Sequence, residues 1–84
     1  MRYADLDFHH QATLPSGHVI EQACVSFPNG WALSILRGMK PLHMTGSDFE
    51  VAEFHNGELL ERSVRRLMTE VQVQSAMHEL AARP

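Results

Sequence analysis

The chain has 84 residues, of which 44% are apolar and 20% charged, and its formal net charge is −3. This length predicts one small domain over residues 1–84, with a modest core to which a bound partner could add stability. A single cysteine excludes an intramolecular disulfide framework and fits a reducing compartment, so we expect a cytoplasmic protein. The acidic excess argues against a general nucleic-acid binder, and no apolar run is long enough to span a membrane.

The first eighteen residues carry two conflicting patterns. Leu6 and Phe8 alternate with acidic residues, which is typical of a short edge strand. Pro15 and Gly17, which follow a polar run, are instead typical of a loop. Residues 1–18 are therefore expected to form either an edge strand or a mobile segment.

A first hairpin is predicted over residues 19–37. Residues 19–27 are rich in β-branched and aromatic side chains, and the apolar run WALSILR follows at residues 31–37. Asn29 and Gly30 lie between them, and both residue types tolerate the positive φ of a tight hairpin turn. We expect the two runs to pair as antiparallel strands.

A second hairpin is predicted after a loop over residues 38–47. Residues 48–55 alternate, with Phe49 and Val51 on one face and Glu50, Ala52 and Phe54 on the other. The dipeptide at residues 56 and 57 is again Asn-Gly, and residues 58–64 alternate as a fourth strand.

The tail changes to a helical period over residues 70–82. Thr69, with Gln72 three residues later, has the pattern of a capping box. A helix of this kind must bury its apolar stripe against a sheet. The predicted fold class is α+β, an antiparallel β-meander of three to five strands with one C-terminal amphipathic helix packed on one face. The stripe consists of Val73, Ala76, Met77 and Leu80.

Two segments of the chain are similar to a known family. Residues 27–38, FPNGWALSILRG, resemble small proteins encoded mainly by bacteriophages and prophages, which carry Phe-Pro-Asn-Gly-Tyr-Gly before a β-rich stretch that ends in Arg-Gly. Trp31 and Ala32 stand where the family has Tyr and Gly. Residues 46–59, GSDFEVAEFHNGEL, resemble the second hairpin of the family. The resemblance covers residues 24–82.

This resemblance implies a binding function. Phage accessory proteins of this size commonly bind a host protein and modulate or inhibit it, and the anti-CRISPR proteins are one such class. It therefore implies a host protein as partner in the bacterial cytoplasm, and a homodimer is left open. The family has an acidic stretch before its last helix, where this chain has Ser63, Val64, Arg65 and Arg66. A function that depends on that acidity is not expected here.

The predicted loop supplies the first candidate partner-binding residues. Methionine thioethers repack against varied shapes and are common at adaptable binding surfaces. The alternative is that the loop folds its apolar side chains under the sheet. The candidates are Met39, Lys40, His43 and Met44.

The other candidate partner-binding residues are three arginines before the predicted helix: Arg62, Arg65 and Arg66. Guanidinium groups pair with carboxylates or phosphates, so an acidic protein surface or a nucleic-acid backbone would suit them. The alternative is a solvated face, balanced by neighbouring glutamates. Those glutamates are Glu58, Glu61 and Glu70.

The remaining reactive side chains predict no catalytic or metal site. The six histidines lack the spacing of a metal motif, so no metal or cofactor is expected. Cys24 lies in an apolar run and is expected to pack in the core, as is Trp31. The rival hypothesis is a small metal- or thiol-dependent enzyme with Cys24 as its nucleophile.

Overall fold

The computed structural model of this protein describes residues 2–39, 49–67 and 69–84, with the backbone alone at Met39. All neighbouring strands are antiparallel, and their order in the sheet is β1-β2-β3-β4-β5. This five-stranded meander with one C-terminal helix confirms the predicted α+β fold class. The elements are a 3-10 helix (Tyr3–Asp5), β1 (His9–Thr13), β2 (Val19–Ser26), β3 (Trp31–Met39), β4 (Phe49–His55), β5 (Glu58–Leu67) and α1 (Glu70–Ala81).

Both predicted Asn-Gly turns are present, and they lie side by side at one end of the sheet. Gly30 and Gly57 have φ of 87° and 84°, in the left-handed region that glycine adopts without strain. The amide of Asn56 donates a hydrogen bond to the carbonyl of Gly30 over 2.8 Å. The two hairpins are therefore joined through their turns as well as through their strands.

The alternation of the strands divides the sheet into two faces. Phe49 and Val51 point into the core on the face that α1 covers, while Glu50, Ala52 and Phe54 lie on the other face, as predicted. We call this second face the open face. The buried side chains of β2 and β3 belong to the core face: Ala23, Val25, Leu33 and Ile35.

Cys24 corrects a sequence prediction. It follows buried Ala23 and precedes buried Val25, so it points to the open face and is exposed. The apolar run around it was expected to bury it, but a period of two assigns only every second residue to the core. Trp31 was expected in the core, and it is half-buried and packs against the core cluster.

The helix α1 lies as the sequence predicts. The hydroxyl of Thr69 accepts a hydrogen bond from the amide of Gln72, and the Gln72 side chain accepts one from the amide of Thr69, each over 3.1 Å. None of the helices in the described part of the chain is long and apolar enough to cross a membrane. The predicted apolar stripe is buried: Val73, Ala76, Met77 and Leu80.

Several boundaries differ from the predictions. An edge strand does form within residues 1–18, but it spans His9–Thr13 in the polar run that was typical of a loop, and Leu6 and Phe8, whose alternation predicted a strand, lie outside it. Strand β3 continues to Met39, so Gly38 belongs to a strand instead of the predicted loop. Strand β5 continues to Leu67 because Phe49, at the start of β4, pairs with it. Arg65 and Arg66 are therefore strand residues.

Candidate protein-binding surface

The structure describes only part of the predicted binding site. Met39 is the last residue of β3. Lys40, His43 and Met44 lie outside the described residues. Within the described residues the candidate site therefore consists of the arginines and the strand that carries them.

The three arginines lie on β5, but they do not form one cluster. Arg65 pairs with Val51 in the register and so belongs to the core face, while Arg66 pairs with Glu50 on the open face. Arg65 Nη1 lies 3.3 Å from Oε2 of Glu53, so this arginine is engaged within the fold. The alternative prediction was a solvated face in which Glu58, Glu61 and Glu70 balance the arginines. It does not hold for Arg65, because the acidic partner of Arg65 is Glu53.

Arg62 and Arg66 form no ion pair with any described residue, and both are exposed. Guanidinium groups in this state keep their donors available for carboxylates on another molecule. These two side chains are therefore the charged part of a candidate binding surface.

Strand β5 also exposes apolar side chains along its length. Leu59, Leu60 and Val64 are 46%, 36% and 46% exposed. Because β5 is the last strand in the sheet order, the backbone groups along its outer side have no neighbouring strand among the described residues. We call Leu59, Leu60, Arg62, Val64 and Arg66 the β5 surface. In the register Leu59 and Arg66 lie on the open face, whereas Leu60 lies opposite buried Glu53, so this surface extends around the edge of the sheet.

A bulge interrupts the pairing of β5 with β4. The register shifts between Val51 and Glu53, where β5 carries extra residues. Ser63 fills the gap, since its hydroxyl accepts a hydrogen bond from the amide of Glu53 over 2.8 Å and donates one to the carbonyl of Leu60. The bulge is therefore fixed by a side chain, and it holds Arg62 and Val64 at the rim of the sheet.

Glu53 is the one polar or charged residue that is buried among the described residues, with 5% exposure. Its carboxylate accepts a hydrogen bond from Arg83 Nη1 over 2.7 Å as well as the one from Arg65. Arg83 Nη2 also donates to Glu79 over 2.8 Å. The hydrogen bonds to Glu53 and then to Glu79 raise the pKa of Arg83 above its ordinary value.

Trp31 and His55 complete this cluster. The guanidinium carbon of Arg83 lies 4.5 Å from the centroid of the Trp31 ring, which stacks on the His55 ring at 4.2 Å. Trp31 Nε1 is buried and has no hydrogen-bond partner among the described residues. Arg83 is therefore held both by charge and by an aromatic face, which fixes the end of the chain against β3 and β4.

The side chain of Asn29 forms a second set of hydrogen bonds between the sheet and the end of the helix. Its side-chain Nδ2 donates to the carbonyls of Leu80 and Arg83, each over 2.8 Å, and its Oδ1 accepts from the amide of Trp31 over 3.1 Å. The last carbonyls of a helix have no partner within the helix, and Asn29 supplies one. The sequence predicts Asn29 only as a turn residue.

A related cluster lies near the N-terminus. Arg37 donates to Glu21 over 2.9 Å and to the Tyr3 hydroxyl over 3.1 Å, and its guanidinium lies 3.8 Å from the centroid of the Phe8 ring. Burial alone would lower the pKa of Arg37, but the hydrogen bonds to Glu21 and Tyr3 outweigh it and raise that pKa. These contacts attach the N-terminal segment to β2 and β3.

The groups considered for metal or thiol chemistry are dispersed. Within the described residues no three His, Cys, Asp or Glu side chains converge on a point that could hold a metal ion. A groove of about 480 Å³ lies at the turn end of the open face, and Cys24, Ala32, Ser34 and Phe54 are among the residues that line it.

Comparisons with family models, with curated proteins and with solved structures give no significant match. The candidate surface is therefore interpreted from the chemistry of its own side chains.

Proposed function

We propose that this protein acts without catalysis, by binding an acidic segment of another protein through the β5 surface. The observation that carries the proposal is that one exposed strand combines three exposed apolar side chains with Arg62 and Arg66, which form no ion pair with any described residue. Apolar anchors with arginines beside them are the composition that protein interfaces favour.

The charge of the surface selects the partner. Arg62 and Arg66 present planar donors that match carboxylates, so an acidic partner gains attraction while a basic one is repelled. Leu59, Leu60 and Val64 lose contact with water on binding, which supplies affinity that salt does not screen. The phage-type resemblance supports a host protein as that partner, and a modulating or inhibitory role follows if the bound segment is needed by the host.

The chain's own architecture supports a binding role for β5 over a purely structural one. The buried core is formed by side chains of the core face and of α1, whereas the side chains of the β5 surface remain exposed. Most side chains of β5 are polar or charged, which protects an edge strand, but the exposed Leu59, Leu60 and Val64 are not, and exposed apolar side chains on an edge are a liability for aggregation unless a partner covers them.

Affinity capture from a bacterial lysate tests the proposal. The tagged wild-type chain should capture a protein that the Arg62→Glu/Arg66→Glu variant does not. Arg2→Glu is the matched control, because Arg2 is 77% exposed and lies far from β5 in the chain. Retention of the same captured protein by the Arg62→Glu/Arg66→Glu variant would contradict the proposal.

A further inference from the structure

Among the described residues no element covers the open face of the sheet, which shares Leu59 and Arg66 with the β5 surface along one edge. The only helix of more than one turn among the described residues, α1, packs on the other face. The strand register arranges the side chains of the open face on β2, β3 and β4 in three parallel rows. The rows are Gln22, Leu36 and Glu50; Cys24, Ser34 and Ala52; and Ser26, Ala32 and Phe54.

The middle row is low, and each outer row carries one large apolar side chain, Leu36 or Phe54. Cys24, Ser34 and Ala52 are all small, so another surface can approach the backbone closely at the centre of the face. Leu36 and Phe54 stand on either side of this row and are only half-buried. Sheets that pack face to face interdigitate the side chains of their inner faces, so the large side chains of one copy can fill the low middle row and the groove of the other.

The charges of the open face permit contact between two identical surfaces. Across β2, β3 and β4 this face carries one charged side chain, Glu50. Arg66 on β5 lies opposite it in the register and has the opposite sign. Two copies that meet here therefore bring together surfaces without net repulsion, although the whole chain carries a formal charge of −3.

The size of the face fits a dimer of modest affinity. Five strands about 4.8 Å apart, with about seven residues of about 3.4 Å each, give a face of about 550 Å². Two such faces bury about 1,100 Å² in total, just above the roughly 1,000 Å² that a specific interface requires. An area of this size predicts an interface that forms reversibly with concentration.

We infer that the occupant of the open face is a second copy of this chain, stacked sheet on sheet about a twofold axis. The middle row lies at the centre of the interface, where contacts contribute most to binding. Leu59 and Arg66, which also belong to the β5 surface, lie at the perimeter of the interface, and the purified chain contains no other partner that could occupy them. Self-association of the purified protein therefore tests this inference separately from capture of a partner.

Sedimentation velocity on the purified chain gives the first test. We expect the wild type to shift from monomer to dimer between low-micromolar and millimolar concentration. Ala52→Arg places a charge at the centre of the interface and should weaken dimerisation by at least about 30-fold. Ala81→Arg is the matched control, because Ala81 is exposed on α1, and it should dimerise like the wild type. Circular dichroism establishes that both variants are folded.

The Cys24 thiol gives a second test that needs no substitution. Cys24 is exposed in the single chain and lies in the middle row, so a dimer should cover it. Its reaction with a maleimide should slow as the protein concentration rises through the dimerisation range, and should stay fast in Ala52→Arg. A monomer at every concentration, dimerisation of Ala52→Arg as tight as that of the wild type, or a labelling rate independent of concentration would each overturn the inference.

Discussion

Arg83 Nη1 lies 2.7 Å from Oε1 of Glu53, so the residue that follows the C-terminal cap of α1 neutralises a buried carboxylate of β4. The same guanidinium stacks on Trp31. This contact joins the helix layer to the sheet layer at the end where the two hairpin turns lie, and it explains why a charged residue is tolerated in the core.

Removal of the Arg83 side chain should destabilise the fold. Arg83→Ala leaves Glu53 with Arg65 as its remaining cationic partner, and a buried charge that loses a partner costs about 2–3 kcal/mol. Urea denaturation measures the change in the free energy of unfolding. Arg2→Ala, at an exposed pair, should change it by less than about 0.5 kcal/mol. An Arg83→Ala variant as stable as Arg2→Ala would mean that the contact has no energetic role.

The Asn29 amide should hold the end of α1. Asn29→Asp keeps an oxygen for the amide of Trp31 but loses both donors and places negative charge beside helix carbonyls, so we expect a loss of about 1–3 kcal/mol. Asn29→Ala should lose about 1–2 kcal/mol. Thermal unfolding of both variants and of the wild type measures these losses of stability. Equal stability of Asn29→Asp and the wild type would contradict the assignment.

Alanine substitutions should destabilise the fold at the glycines with positive φ and not at Gly38. Gly57→Ala adds a side chain where φ is 84° and should cost about 1 kcal/mol, although no atom lies within 4 Å of the new Cβ. At Gly30 the new Cβ also meets Oδ1 of Asn56 at 2.5 Å, so the loss should be larger. Gly38 has neither constraint, and Gly38→Ala should leave the denaturation midpoint unchanged or slightly raised. The reverse order would contradict the turn geometry.

The Thr69 cap should contribute to helix stability. Thr69→Ala removes the hydroxyl that accepts from the amide of Gln72 and should cost about 1 kcal/mol in the free energy of unfolding. Thr69→Ser retains that hydroxyl and serves as the control, and its stability should stay within about 0.5 kcal/mol of the wild type. Equal losses in the two variants would show that the hydrogen bond does not contribute.

Local patterns predicted most of the fold because each has a direct physical cause. Positive φ at Gly30 and Gly57 fixed both turns, and the helical stripe that includes Val73 and Leu80 could be buried only against a sheet. The extension of β5 to Leu67 could not be predicted, because it depends on where β4 begins. The prediction that Cys24 is buried was wrong, because a mixed apolar run does not reveal which set of alternate residues faces the core.

The candidate site was less predictable because its contacts join distant parts of the chain. The sequence showed three neighbouring arginines, but the alternation of β5 and the position of Glu53 separate Arg65 from Arg66. The contact of Asn29 with Arg83 spans 54 residues, and no local pattern signals it. The exposure of Leu59 follows from the position of β5 at the end of the strand order, which is a property of the whole sheet.

The most direct measurement of the proposed function is a calorimetric titration of the purified captured partner with the wild-type chain and with its Arg62→Glu/Arg66→Glu variant. The account predicts that the double substitution weakens binding by at least about 30-fold, and that the wild-type affinity falls as salt is added. Arg2→Glu should bind as the wild type does. An affinity of the double variant within about twofold of the wild type would contradict recognition through the β5 surface.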